Sequence, residues 1–152
     1  MEGTDGVPPK EAIGQMATGY WISQVIRTMA VFGLADHLAA GARTTEELSE
    51  QSGAHAPSLD RLLRALSALG LCVRDDEGRV RLTQLGERLR SDVPDSMKSS
   101  VLMLTAPSFQ RTWEKLPDAV RRGEPTFSRV HGVGFWNYLA AHPEEGRSST
   151  RL

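Results

Sequence analysis

Four histidines, one cysteine and one close glycine pair are the residues of this chain whose types most readily do chemistry. His37, His55, His131 and His142 fall in different segments with no second ligand at metal spacing, so no metal site is expected. His37 follows Asp36 but has no nucleophile or implied pocket beside it, and is read as a helix-surface or packing residue rather than a general base. His131, beside Gly132, has a better claim as a residue at the edge of a pocket, against the plainer reading as structure. Cys72 sits in a strand-like apolar run and, being alone, forms no internal disulfide. A buried structural thiol in a reducing compartment is expected. Gly132-Val-Gly134 follows no strand pattern, so it reads as a loop before a helix rather than as a turn that cradles phosphate.

A second set of residues could bind rather than react. Met103, Phe109, Trp113, Phe135 and Trp136 carry the apolar and aromatic surface that lines a flat aromatic ligand through area burial and ring stacking, or that fills an ordinary core. Phe135 and Trp136 are read as core; for Met103, Phe109 and Trp113 both readings stand. Tyr20, Trp21 and Val25 lie in a segment whose apolar residues Ile13, Met16, Tyr20, Ile22, Val25, Ile26, Met29 and Phe32 cover most of a helix circumference. Such a helix needs more than one partner, within its own fold or in a second copy of the chain.

The elements that must position these groups follow from spacing and punctuation. Residues 1–9 are rich in Gly, Pro and acidic side chains and are expected to be a mobile leader. The first helix starts at Lys10 and is interrupted at Gly33; Leu34–Ala39 makes a short helix closed by Gly41. Thr44 and Thr45 before Glu46 and Glu47 read as an N-cap with an acidic first turn, and Ser52-Gly53 ends that helix. Leu59, Leu62, Leu63, Leu66 and Leu69 recur at intervals of three and four, which puts them on one face of a helix that must be buried. Gly70 stops it, and Leu71–Leu82 reads as two short strands around a turn. The pattern from Thr44 to Thr83 is a winged helix. A short helix capped by Thr83 follows, broken at Asp92-Val-Pro94. Ser96–Thr105 is helical and ends at Pro107; Phe109, Trp113, Leu116 and Val120 mark a helix that kinks or restarts at Pro117. Residues 124–132 read as a loop, Phe135–Leu139 as the start of a last helix stopping at His142-Pro143, and residues 144–152 as a polar tail. The fold class is therefore mainly α, a winged-helix-like domain with a small two-stranded β wing and extra helices on both sides.

Composition narrows the function. The 152 residues carry 18 Lys and Arg against 19 Asp and Glu, a net charge of -1 that gives no general attraction to nucleic acid or anionic membranes. No run is long and apolar enough to span a bilayer, and the N-terminus lacks the apolar core of a secretory signal, so a cytoplasmic protein is expected. A winged helix that reads DNA presents basic and amide side chains on the outer face of its second helix. Here that face offers Asp60, Arg61, Arg64, Ser67 and Ala68, and Asp75, Asp76 and Glu77 crowd the tip of the wing. An acidic wing is repelled by phosphate, which favours a scaffold; a winged-helix transcription regulator is the alternative.

The order of motifs sharpens this. Leu34-Ala-Asp-His-Leu38, Thr45-Glu-Glu-Leu48, Leu62-Leu-Arg-Ala-Leu66 with Gly70-Leu71, Leu82-Thr83 with Gly86, and Leu89-Arg90 together resemble the N-terminal dimerisation domain of S-adenosylmethionine-dependent O-methyltransferases. The likeness is to the branch shared by plant phenolic enzymes and bacterial polyketide-tailoring enzymes. It continues through Trp113, Leu116, Gly123-Glu-Pro-Thr-Phe127, Gly132 and Phe135-Trp136 to His142-Pro143-Glu144. The resemblance implies a homodimer built on residues 10–93, and a substrate cap over residues 94–143 with Met103, Phe109 and Trp113 as pocket candidates, to which His131 is added from its place beside Gly132. It also implies that Tyr20, Trp21 and Val25 touch the partner subunit or close its pocket. In a full-length enzyme the substrate is a small aromatic or polyketide-type secondary metabolite. The cofactor-binding domain and the family's catalytic histidine have no counterpart in these residues, so no catalytic, cofactor or metal residue is assigned, and the chain alone is expected neither to bind S-adenosylmethionine nor to transfer a methyl group. Its last residues, Gly146-Arg-Ser-Ser-Thr-Arg-Leu152, depart from the family's continuation as a truncation, a frameshift or a deliberate fragment would.

Overall fold

The structure, a computed structural model, describes residues 7–146; the expected leader falls outside it up to residue 6, and the expected tail from residue 147. Pro9 occupies the first turn of α1 (Pro9–Val31), where its missing N–H costs nothing. α2 (Leu34–Leu38) follows, then α3 (Thr45–Ser52), α4 (Ala56–Ala68), β1 (Cys72–Arg74) and β2 (Val80–Leu82). The α3 start is a capping box: Thr44 Oγ1 accepts from the Glu47 N–H at 3.2 Å and Glu47 Oε2 accepts from the Thr44 N–H at 2.7 Å. The strands are antiparallel with Cys72 opposite Leu82 and Arg74 opposite Val80, and Arg43 adds an isolated bridge to Val80.

One aliphatic core holds this winged-helix body together. Leu59, Leu63 and Leu66 of α4 meet Leu34, Leu38 and Leu48 of the two preceding helices, Cys72, Val80 and Leu82 of the wing, and Met29 of α1. Leu62 and Leu69, read with the same stripe, are only half-buried and pack at its edge. Gly70, at φ 73°, ends α4 in the left-handed conformation that a side chain resists. Burial pushes the Cys72 thiol up to about 11, so it stays a neutral packing group.

The helix expected after the wing is a single 3₁₀ turn, Gly86–Leu89. Thr83 Oγ1 accepts from the Gly86 N–H at 3.1 Å, which starts the turn as the sequence suggested. Gly86 packs so close to the wing that a Cβ there would lie 2.0 Å from the Leu71 carbonyl oxygen; no side chain fits without moving the backbone.

Beyond it come α5 (Lys98–Leu104), α6 (Pro107–Trp113) and α7 (Leu116–Arg122). Pro107 opens α6 and Pro117 lies in the first turn of α7, so the expected kink is a restart. The segment expected to be a loop, 124–132, contains a further helix, α8 (Phe127–His131), because the Thr126 carbonyl accepts from the Arg129 and Val130 N–H groups at 3.1 and 3.0 Å. α9 (Phe135–Ala141) follows, and Pro143–Gly146 forms one more turn, α10, where the polar tail was expected to begin. Among the described residues no helix is long and apolar enough to cross a membrane.

Candidate functional site

The first helix is apolar on two opposite sides. Val25, Ile26 and Met29 of α1 face the core of the body. Arg27 secures the same half of the helix by donating to the Leu102 carbonyl at 2.9 Å and to Thr105 Oγ1 at 3.3 Å. Ile13, Met16 and Tyr20, spaced i, i+3 and i+7, form a stripe on the other side, flanked by Trp21. All four are exposed; Tyr20 is 59% and Trp21 60% accessible. Two of the three sequence-predicted dimer residues thus stand clear of the fold, and the third, Val25, packs against its core.

Beside this helix runs an apolar groove of about 260 Å³. It is lined by Ile22 and Ile26 of α1, Leu69 and Leu71 around the end of α4, Leu85 and Leu89 near the 3₁₀ turn, and Met97 and Val101 at α5, with Arg88 its one charged residue. Ile22, Leu85 and Met97 remain exposed. Sequence reasoning did not single out this groove, because its residues come from four elements distant in the chain.

The pocket candidates divide. Met103 is 3% exposed and belongs to the interior. Trp113 is 64% exposed and lies on the surface. Phe109 and His131 are brought together through Phe127, whose ring stands 6.4 Å from Phe109 and 4.4 Å from His131. Phe135 and Tyr138 complete this aromatic cluster, Phe135 edge-on to Phe109 at 5.7 Å and to Phe127 at 5.2 Å. Tyr138 lies 4.8 Å from His131 and stacks on His142 at 3.9 Å. Trp136, expected in the core, is 73% exposed: α9 turns Tyr138 and Leu139 inward and leaves Trp136 outside. Phe127 and Tyr138, absent from the candidates, are the centre of the cluster; the signal available was only their aromatic type.

Proton bookkeeping fixes the His131 ring. Thr112 Oγ1 donates to the Ser108 carbonyl at 2.9 Å, and His131 Nε2 lies 3.0 Å from the same oxygen and 3.2 Å from Thr112 Oγ1. The Ser108 carbonyl can only accept, so Nε2 carries a hydrogen. The buried Ser108 hydroxyl donates to the Glu145 carboxylate, tying α10 to α6. His131 is therefore positioned by hydrogen bonds as well as by packing. His37 and His55 stand apart from this cluster in α2 and at the start of α4, and no group of three metal-binding side chains occurs among the described residues.

On the outer face of α4 Arg64 is ion-paired while Arg61 contacts only the Ser58 hydroxyl, and most arginines of the wing and the following turn are paired as well. Asp60 pairs with Arg74 at 2.8 Å and with Arg64 at 3.4 Å, Arg79 with Glu47 at 3.6 Å, Arg88 with Asp95 at 3.3 Å, and Arg90 with Asp92 at 2.7 Å. Arg90 holds Asp92 below the usual carboxylate range through a direct hydrogen bond. The Asp75 carboxylate is used within the wing, accepting from the Glu77 and Arg79 N–H groups at 3.1 and 2.8 Å. Exposed pairs of this kind add little stability, but they weaken the field that these arginines would present to phosphate.

A winged helix with ion-paired arginines, flanked by a two-faced helix on one side and an aromatic helical cluster on the other, is a scaffold that presents protein-binding surface. The chain belongs to the O-methyltransferase dimerisation domain family, whose model matches residues 15–92. It is 36% identical over 141 residues to the phenazine O-methyltransferase PhzM of Lysobacter antibioticus, an alignment covering 93% of this chain and 41% of that protein. The crystal structure of LaPhzM superposes with a TM-score of 0.87 at 35% identity, covering 93% of this chain and 42% of that one. CalO1, a methyltransferase in calicheamicin biosynthesis solved with S-adenosylhomocysteine bound, gives a TM-score of 0.79 at 31% identity, covering 97% and 44%. The chain spans about two-fifths of the length of the curated relatives it matches.

Proposed function

We propose that these residues are the dimerisation and acceptor-cap part of an S-adenosylmethionine-dependent O-methyltransferase that acts on an aromatic or polyketide-type secondary metabolite. Residues 10–93 supply the dimer contacts on a winged-helix scaffold, and residues 94–143 the cap. The observation that carries the reading is the two-faced α1: its inner side is satisfied by the body, and Ile13, Met16, Tyr20 and Trp21 are exposed among the described residues. A second copy of the chain covers that side and, with it, the neighbouring groove. The aromatic cluster around Phe127 and the oriented His131 support a role in holding a flat acceptor and excluding water from it. The names of the phenazine and calicheamicin relatives point to the same acceptor class.

The methyl donor is held by residues other than these. Among the described residues the sheet consists of two three-residue antiparallel strands, no glycine-rich turn leads from a strand into a helix, and Gly132 closes α8 at φ 75°. Two measurements test the division of labour. Light scattering on the 152-residue chain should give twice the 16.7 kDa mass of one copy, and a monomer at high concentration would remove the dimer reading. Calorimetric titration with S-adenosylmethionine should give no binding heat, and measurable affinity would contradict the assignment of the donor site elsewhere. For the alternative as a DNA-binding regulator, no observation is favourable: of the winged-helix arginines, Arg64, Arg74, Arg79, Arg88 and Arg90 are already paired with carboxylates.

A further inference from the structure

The geometry points to a binding site for a small carboxylate-bearing molecule in the cleft between α7 and α8, an inference that stands on the cleft alone and not on the proposed function. The cleft encloses about 280 Å³ and is lined by Lys115, Asp118, Thr126, Arg129 and Val130. Two successive helix starts build it. The Lys115 carbonyl accepts from the Asp118 and Ala119 N–H groups at 3.0 and 3.1 Å to begin α7, and Thr126 begins α8 in the same way. The Thr126 hydroxyl donates to the Thr112 carbonyl at 3.4 Å, which anchors the base of α8 against α6. A cation at the first start and a cation on the second helix therefore share one concave surface.

Charge selects the ligand. Asp118 is engaged by Arg121 at 2.8 Å, which leaves Lys115 and Arg129 as the cations of the cleft without a carboxylate within 4.0 Å among the described residues. A guanidinium presents a planar fork that matches a carboxylate, and an ammonium adds a mobile point charge. Val130 and the largely buried Thr126 line the same surface, and Val130 supplies an apolar footing for a carbon body. The volume lies just below that of drug-sized pockets, so the body is on the scale of one aromatic ring. Asp118 at the same rim opposes a second negative charge, which favours a monoanion over a phosphate dianion.

The test is an amide-resolved NMR titration of the 152-residue chain with sodium benzoate, with benzamide as the neutral isostere and inorganic phosphate as a second anion, at low ionic strength. Benzoate should shift the amides of residues 115–118 and 126–130 with millimolar affinity, and benzamide and phosphate should bind more weakly. Lys115→Gln and Arg129→Gln should each weaken benzoate roughly fivefold, about 1 kcal/mol for an exposed charge contact. Arg111→Gln, on α6 outside the cleft, should leave the affinity unchanged. Both cleft cations are exposed, so the variants keep the fold, and their spectra verify it. Absence of localised benzoate shifts, equal affinity for benzamide, tighter binding of phosphate, or full affinity in Lys115→Gln and Arg129→Gln would each overturn the assignment.

Discussion

The winged-helix body and the helices beyond Lys98 contain similar residue types, yet they are held together by different physics. The body is aliphatic: Leu34, Leu48, Leu59, Leu63 and Leu66 are fully or almost fully buried in one continuous core, and five arginines outside it, Arg64, Arg74, Arg79, Arg88 and Arg90, pair with carboxylates. The cap is aromatic and polar inside. Phe109, Phe127 and Phe135 meet edge to face while remaining half-buried, and Ser100, Thr105, Ser108 and Thr126 are buried among short helices. An aliphatic core gains by close packing and resists change; half-buried rings in edge-to-face contact bury less area and are less tightly held. The body is the more rigid of the two regions.

The largest effect should come from the body. Leu63 is fully buried at the centre of α4, and Leu63→Ala should cost about 3–4 kcal/mol and lower the denaturation midpoint of every probe together. Phe127→Ala removes the ring shared by Phe109, His131, Phe135 and Tyr138 and should cost about 2 kcal/mol, but locally. Amide exchange should accelerate in residues 107–143 while α4 keeps its protection. If both variants loosened the whole chain equally, body and cap would be one cooperative unit and the contrast would fail.

A smaller effect belongs to the latch between the two regions. Asp36 Oδ2 accepts from Lys98 Nζ at 2.6 Å and from Ser91 Oγ at 2.9 Å, and Oδ1 accepts from the Ser91 N–H at 2.6 Å. Burial raises the Asp36 carboxyl, but the hydrogen bonds from Lys98 and Ser91, with the Lys98 charge, outweigh it and hold the group below its usual value. A carboxylate so depressed contributes stability above its unfolded pKa of about 4, and loses it as pH falls through the lower folded value. Asp36→Asn should therefore cost about 1 kcal/mol at neutral pH, and the difference from the parent chain should vanish on acidification. A pH-independent difference would show that packing, not the charge, carries the latch.

Much of the body was legible in the sequence because its signals are periodic and local. The leucine spacing of α4 and the Thr44 cap before Glu47 state their roles within a few residues, and Gly70 closes the pattern. The cap was less legible. Phe127–His131 is a single helical turn between Pro125 and Gly132, too short to show a period, and its helicity depends on the Thr126 carbonyl and on aromatic neighbours from α6 and α9. Aromatic type alone did not reveal that Trp136 and Trp113 face outward while Tyr138 faces in. The pairing of Asp60 with Arg74 joins residues 14 apart and was equally hidden, although the acidic excess that it expresses was visible.

The exposed side of α1 distinguishes this account from one in which the chain is a self-sufficient monomer. Sedimentation equilibrium of the parent chain and of Trp21→Glu measures it directly, since Trp21 is 60% exposed and its replacement leaves the monomer core intact. The parent should sediment as a dimer, and Trp21→Glu should dissociate at least roughly tenfold more readily with an unchanged helical spectrum, as loss of a central aromatic contact predicts. An identical dimer in both chains, or a monomer in both, would contradict the assignment of that face to the interface.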